Sequence, residues 1–135
     1  MKFEGVIFDM DGIILDSERY AVEIFKETFA NLNKEFTEEL FISVLGITIE
    51  AENQILLDYF GSEKDLLYFR TQYNSLMEEA YAKGKIALKK GAYELVNYLK
   101  EKNIPYALAT SSPLERVAVC FNNTKFGSNP FEYIV

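Results

Sequence analysis

The sequence predicts an α/β fold, a parallel-sheet core interrupted early by a long helical segment. Three observations carry this. Val6-Ile7-Phe8 and Ile104–Ala109 are short continuous apolar runs, the pattern of strands buried on both faces, and each ends abruptly in polar residues. Between them, residues 17–84 carry apolar stripes at helical spacing, punctuated by glycines. The composition is globular: 135 residues, 49% hydrophobic and 15% aromatic, well outside the range of a disordered chain.

The elements follow in order. Met1–Glu4 lead into the first strand. Ser17 is positioned to cap a helix running to about Leu32, with Tyr20, Ile24, Phe25 and Phe29 on its apolar side. Thr37 caps a second helix with Leu40, Phe41, Val44 and Leu45 inward and Gly46 as its stop. Thr48 caps a third, with Ile55, Leu56, Tyr59 and Phe60 inward and Gly61 as stop. Ser62 caps a fourth, with Leu66, Phe69, Tyr73, Leu76, Met77 and Ala80 inward and Gly84 as stop. These four stripes are read as the core of a small bundle. Beyond Gly91, Ala92, Leu95, Val96 and Leu99 mark a fifth helix, followed by the second strand, with Pro105 tolerated near its start. Ser112 and Glu115 form a capping box with Pro113 at the first helical position. Leu114, Val117, Ala118 and Phe121 form the buried stripe of the helix it opens. Phe131–Val135 reads as a third strand.

Charge and missing residue types narrow the chemistry. The net charge is −7 and no basic cluster exists, which argues against a nucleic-acid partner. No apolar run approaches 18 residues and no signal peptide opens the chain, so the expectation is a cytoplasmic protein without a membrane partner. The one cysteine, Cys120, excludes a disulfide framework and is read as a packed core thiol. There is no histidine, which excludes Ser-His-Asp and Cys-His catalysis and His-ligated zinc. Any general acid or base must be a carboxylate, Lys, Tyr or Cys.

The candidate site lies at the two strand ends. In extended geometry residues two apart project together, so Asp9 and Asp11 would lie about 6–7 Å apart at Cα. Ligands of open α/β sheets bind at the carboxyl ends of strands. Paired carboxylates there suit a hard cation such as Mg²⁺, or the roles of nucleophile and acid/base. Gly12 lets the chain turn tightly beside whatever is bound. After the second strand, the hydroxyls of Thr110, Ser111 and Ser112 and the free N–H groups of a helix start suit an anion such as phosphate. Two rival readings exist: an accidental D-x-D-G loop, and a calcium loop of the EF-hand type with Asp9 at loop position 3 and Glu18 at position 12. The calcium loop would put Ile7, which cannot ligate, at position 1, and it needs a helix where Val6-Ile7-Phe8 stands.

The D-x-D-G-x-x-x-D-S pattern from Asp9 to Ser17 resembles motif I of the haloacid dehalogenase superfamily, most closely the β-phosphoglucomutase-like branch with a helical cap. The strand ending in Ala109-Thr110-Ser111-Ser112-Pro113 resembles motif II. The resemblance implies a Rossmann-like three-layer core, residues 1–14 and 86–135, and a four-helix cap, residues 15–85. It makes Asp9 the nucleophile that forms an aspartyl-phosphate and Asp11 the acid/base. Mg²⁺ would be held by the Asp9 carboxylate and the Asp11 carbonyl. Thr110, helped by Ser111 and Ser112, would bind the phosphoryl group, with Gly12 also on the phosphate side of the site. Ser17 and Gly46 are the substrate candidates on the cap side, with pivots near Asp16-Ser17 and Gly84–Leu88. The implied partner is a small phosphorylated metabolite.

The chain also departs from that family. The Lys that follows the third strand and the acidic residues that end the fourth do not occur before Val135, and Lys125 precedes the third strand. The expectation is of a core truncated after its third strand, leaving Val6–Phe8 as an exposed apolar edge and a poor catalyst when alone. Ala21 stands where β-phosphoglucomutases carry a His, and residues 44–49 offer no basic group. This favours a Mg²⁺-dependent phosphatase of a sugar phosphate or similar metabolite. The alternatives are a phosphosugar mutase, and a truncated, non-catalytic domain that binds a phospho-ligand or a partner.

Overall fold

The computed structural model describes residues 4–135, so Met1–Phe3, expected to lead into the first strand, lie outside the described residues. In chain order the elements are β1 (Val6–Asp9), α1 (Ser17–Asn31), α2 (Glu38–Val44), α3 (Ile49–Phe60), α4 (Glu63–Ala82), α5 (Ala92–Glu101), β2 (Tyr106–Ala109), α6 (Leu114–Asn122) and β3 (Tyr133–Ile134). The chain divides into two compact units. One is helical, Ala21–Glu78; the other is α/β and joins the described part of Met1–Tyr20 to Glu79–Val135. No helix among the described residues is long and apolar enough to cross a membrane.

The α/β unit is built on a parallel sheet in the order β1-β2-β3. Val6 pairs with Tyr106 and Asp9 with Ala109, while Leu108 pairs with Ile134. Successive right-handed crossovers running one way along a sheet lay their helices on one face. The packing agrees. Phe8 and Leu108, register partners, are buried, as are Val96 and Leu99 of α5 and Val117 and Phe121 of α6. Phe131 joins them, its ring 5.9 Å from Phe8, 5.7 Å from Tyr106 and 5.6 Å from Phe121. On the other side Ile7 is 72% exposed and Tyr133 64%. The expectation of strands buried on both faces is therefore corrected: β1 is buried on one face, and among the described residues it is an edge strand.

Other expectations fail in this unit. Leu95 on α5 and Leu114 and Ala118 on α6 are exposed, because the packed stripes are Ala92-Val96-Leu99 and Val117-Cys120-Phe121. Cys120 is buried, as read. The Ser112–Glu115 capping box does not form. Pro113, with extended backbone (φ −58°, ψ 148°), is itself the N-cap, and α6 starts one residue later than expected.

In the helical unit the local signals are obeyed closely. The Thr37 and Thr48 hydroxyls accept from the N–H groups of Leu40 (3.2 Å) and Ala51 (3.3 Å), and the Ser62 hydroxyl accepts from Asp65 N–H (3.3 Å). Gly61 ends α3 in the left-handed conformation (φ +66°). The core is a cluster of rings. Phe25 lies 4.8 Å from Phe69, 5.0 Å from Phe41 and 5.3 Å from Tyr73, near edge-to-face in each case. Phe29, fully buried, meets Phe36, Tyr59, Phe60 and Phe69. At its rim Arg70 bonds Asn53 (2.6 Å) and pairs with Glu52 (3.0 Å), and the Tyr59 hydroxyl donates to the Glu35 carbonyl. Leu45, expected inward, is exposed: it is the extended C-cap of α2 (ψ 134°), already off the helical stripe.

Candidate active site

The strand geometry that would align Asp9 with Asp11 stops at Asp9. The chain then folds into a tight turn: Ile14 and Leu15 N–H both donate to the Met10 carbonyl (3.0 and 2.9 Å), and Gly12 N–H donates to the Leu15 carbonyl (2.9 Å). Met10, Ile14 and Leu15 are buried, so apolar anchors inside the turn fix its polar tip. The two carboxylates thus stand on a strand end and a turn rather than on one extended run. A strand ahead of Asp9 also removes the calcium-loop reading, which needs a helix there.

Each acid is already oriented. Asp9 is exposed, and its Oδ1 accepts from Met10 N–H at 2.8 Å. Asp11 is half-buried, and its Oδ1 accepts from the Tyr81 hydroxyl at 2.8 Å. Burial, and next the Asp11 charge, push the Tyr81 hydroxyl above the ordinary phenol range. Gly12 takes a left-handed backbone (φ +73°), and a Cβ there would come 2.7 Å from Glu18 Oε1, so only glycine fits without strain. Ser17 is the first residue of α1, and its Oγ accepts from Gly12 N–H (3.1 Å), binding the turn to the helix.

The second strand end is brought to the first by register. Asp9 pairs with Ala109, so Thr110 follows at the neighbouring strand end. Adjacent strands are about 4.8 Å apart. Thr110 N–H donates to the Val135 carbonyl (2.8 Å), and its Oγ1 accepts from Ser112 N–H (3.1 Å). That bond explains the missing capping box, since the Ser112 N–H closes a turn onto Thr110. It leaves the Thr110 O–H free to donate. Ser111 is exposed and Ser112 half-buried, and the first turn of α6 has no side-chain cap. Gly46 belongs to the helical unit, where it turns the chain after α2 (φ +71°) with open space around it.

The connections into and out of the insertion form a short ribbon. Asp16 N–H donates to the Ala87 carbonyl and Lys89 N–H to the Ile14 carbonyl, both at 2.8 Å, and Leu15 bridges Leu88 in antiparallel fashion. Asp16 and Lys89 add an ion pair at 3.0 Å. A surface cavity of about 450 Å³ lies alongside, lined by Ile86, Leu88, Gly91, Tyr93 and Lys125, and includes none of the strand-end residues.

Sequence reasoning missed Tyr81. The helical stripe picks out its neighbour Ala80 as the inward residue of that turn, and nothing in the local pattern announces a partner 70 positions away.

Comparison with known proteins identifies the class of protein to which this fold belongs. The profile of haloacid dehalogenase-like hydrolases matches residues 6–135, and the chain belongs to that family. A phosphorylated-carbohydrates phosphatase of Thermotoga maritima is 28% identical over 110 residues, covering 82% of this chain and 50% of its own. A (DL)-glycerol-3-phosphatase of Arabidopsis thaliana is 30% identical over 109 residues, covering 79% and 45%. A solved Thermotoga maritima structure assigned as a β-phosphoglucomutase superposes with a TM-score of 0.72 at 25% identity, covering 98% of this chain and 61% of that one. The chain spans about half the length of the curated relatives it matches.

Proposed function

We propose that the protein hydrolyses phosphomonoesters of small metabolites, sugar phosphates or similar, through an aspartyl-phosphate on Asp9. The observation that carries this reading is the Asp9–Ala109 register, which sets a carboxylate and the Thr110 hydroxyl on adjacent strand ends. Membership of the family and the phosphatase names of its relatives support it.

In the proposed sequence, an Asp9 carboxylate oxygen attacks phosphorus in line and the P–O bond to the leaving group breaks. Asp11 gives its proton to the departing oxygen. Asp11, now a carboxylate, takes a proton from water as that water attacks phosphorus. Inorganic phosphate leaves and the Asp9 carboxylate is restored. Thr110 O–H and the N–H groups near Ser111 and Ser112 hold the phosphoryl oxygens. Gly12 serves by turning the chain, because its own N–H is already committed within the turn. The helical segment is the proposed cap, with Ser17 and Gly46 as its candidate substrate residues.

The donors suit Mg²⁺, which commonly takes one or two carboxylates and keeps several waters. Asp9 is exposed with one oxygen engaged, and the Asp11 carbonyl accepts no backbone hydrogen bond among the described residues. Asp9 and the Asp11 carbonyl would hold the ion, which when bound neutralises charge on the transferring phosphoryl group.

Mg²⁺-dependent binding of beryllofluoride, followed by calorimetry, tests the nucleophile. Binding lost in Asp9→Asn supports the reading, and binding of equal strength in that variant sinks it.

A further inference from the structure

We infer that Tyr81 is a positioning residue for Asp11: its hydroxyl holds the carboxyl group by Oδ1 and leaves Oδ2 as the oxygen that gives and takes protons. This rests on the reading of Asp11 as acid/base and deepens it. The hydrogen bond is 2.8 Å long, and Tyr81 is only 6% exposed, so water competes little for its hydroxyl.

Tyr81 is itself firmly held. The Arg116 guanidinium lies 5.6 Å from the centre of its ring. The end of α4 is fastened by Asn123, whose Nδ2 donates to the Ala82 carbonyl (3.3 Å) and the Val119 carbonyl (3.1 Å). Gly84 closes against the same side chain, since a Cβ there would lie 2.8 Å from Asn123 Cβ. A side chain already ordered by such neighbours gives up little freedom in orienting a second one.

The direction of the bond follows from elementary chemistry. A carboxylate can only accept, and a phenol, with an ordinary pKa near 10, keeps its proton at neutral pH. When a proton sits on Oδ2, Oδ1 remains an acceptor. The Tyr81 bond therefore survives both protonation states of Asp11 and fixes the edge from which the proton moves. A group that must act at one point in space gains from such fixing.

Tyr81→Phe removes one oxygen and keeps the ring, and two measurements on the full chain read its effect. The first is the Asp11 χ1 angle from NMR scalar couplings, expected to show a single rotamer in the wild type and averaging in the variant. It decides the question without turnover. The second is kcat/KM with Mg²⁺ on two probes. The alkoxide leaving group of sn-glycerol 3-phosphate needs a proton, whereas the leaving group of p-nitrophenyl phosphate departs unaided. We expect about a tenfold loss on the first and less than about threefold on the second. No further loss is expected when Tyr81→Phe is added to Asp11→Asn. A single Asp11 rotamer in Tyr81→Phe, or equal losses on both probes, overturns the positioning role. Wild-type hydrolysis in Asp11→Asn with averaged rotamers in Tyr81→Phe instead overturns the acid/base reading and leaves the hold on Asp11 standing.

Discussion

In the helical unit, Phe25 and Phe29 are ringed by aromatic side chains from the surrounding helices. In the α/β unit, Phe8 and Leu108 are buried while Ile7 on β1 and Tyr133 on β3 face solvent. The first unit closes around a cluster of rings, whereas the second packs one face of its sheet, with Phe8, Leu108, Phe121 and Phe131 buried, and leaves the other bare. The candidate chemistry, Asp9, Asp11, Thr110 and Tyr81, lies entirely in the second. Strand register and a turn anchored by the buried Met10, Ile14 and Leu15 position it. The ring cluster of the helical unit holds none of the candidate strand-end residues, so substitutions should separate its stability from their chemistry.

The largest separation is expected from Asp9→Asn. On the proposed reading, phosphomonoester hydrolysis should fall by about a thousandfold or more, with melting temperature nearly unchanged because Asp9 is exposed. A large loss of stability would mean that Asp9 is structural and the contrast is false. Next comes Phe29→Ala, expected to cost about 3–5 kcal/mol in urea unfolding while leaving strand-end chemistry intact in the folded fraction. A cost below about 1 kcal/mol would show that the aromatic cluster is not closed. Gly12→Ala forces a left-handed backbone on a side chain that also meets Glu18, and should cost about 1–3 kcal/mol by the same measurement. The smallest folding effect belongs to Ile7→Thr, under about 0.5 kcal/mol. That change should nevertheless reduce self-association measured by light scattering, since it interrupts an apolar face on an edge strand. Unchanged association would show that the exposed sheet face is not its route.

Much of this was legible in the sequence because the signals were local. Thr37, Thr48 and Gly61 announce helix ends by their own hydrogen-bonding and backbone preferences, and the structure uses each in that way. Asp9 and Thr110 were legible as strand-end residues because apolar runs stop at them. What failed depended on tertiary context. Three apolar residues in a row cannot reveal that both crossover helices fall on one face and leave Ile7 bare. Ser112 and Glu115 satisfy the spacing of a capping box, but Thr110 competes for the same N–H and wins. Tyr81 carries no signal at all until the fold brings Asp11 to it.

The ribbon between residues 14–16 and 87–89 makes the insertion a cassette with its two ends side by side. Leu15 and Leu88 are antiparallel bridge partners, a spacing that a two-residue hairpin turn can close. A protein engineer could cut between Asp16 and Ala87, discard the helices or splice in others, and leave the sheet connected. The exchange would not be neutral for the site. Tyr81 travels with the cassette, so every graft would also replace the group that orients Asp11, and a donor would have to be chosen for its last helical turn as much as for its length.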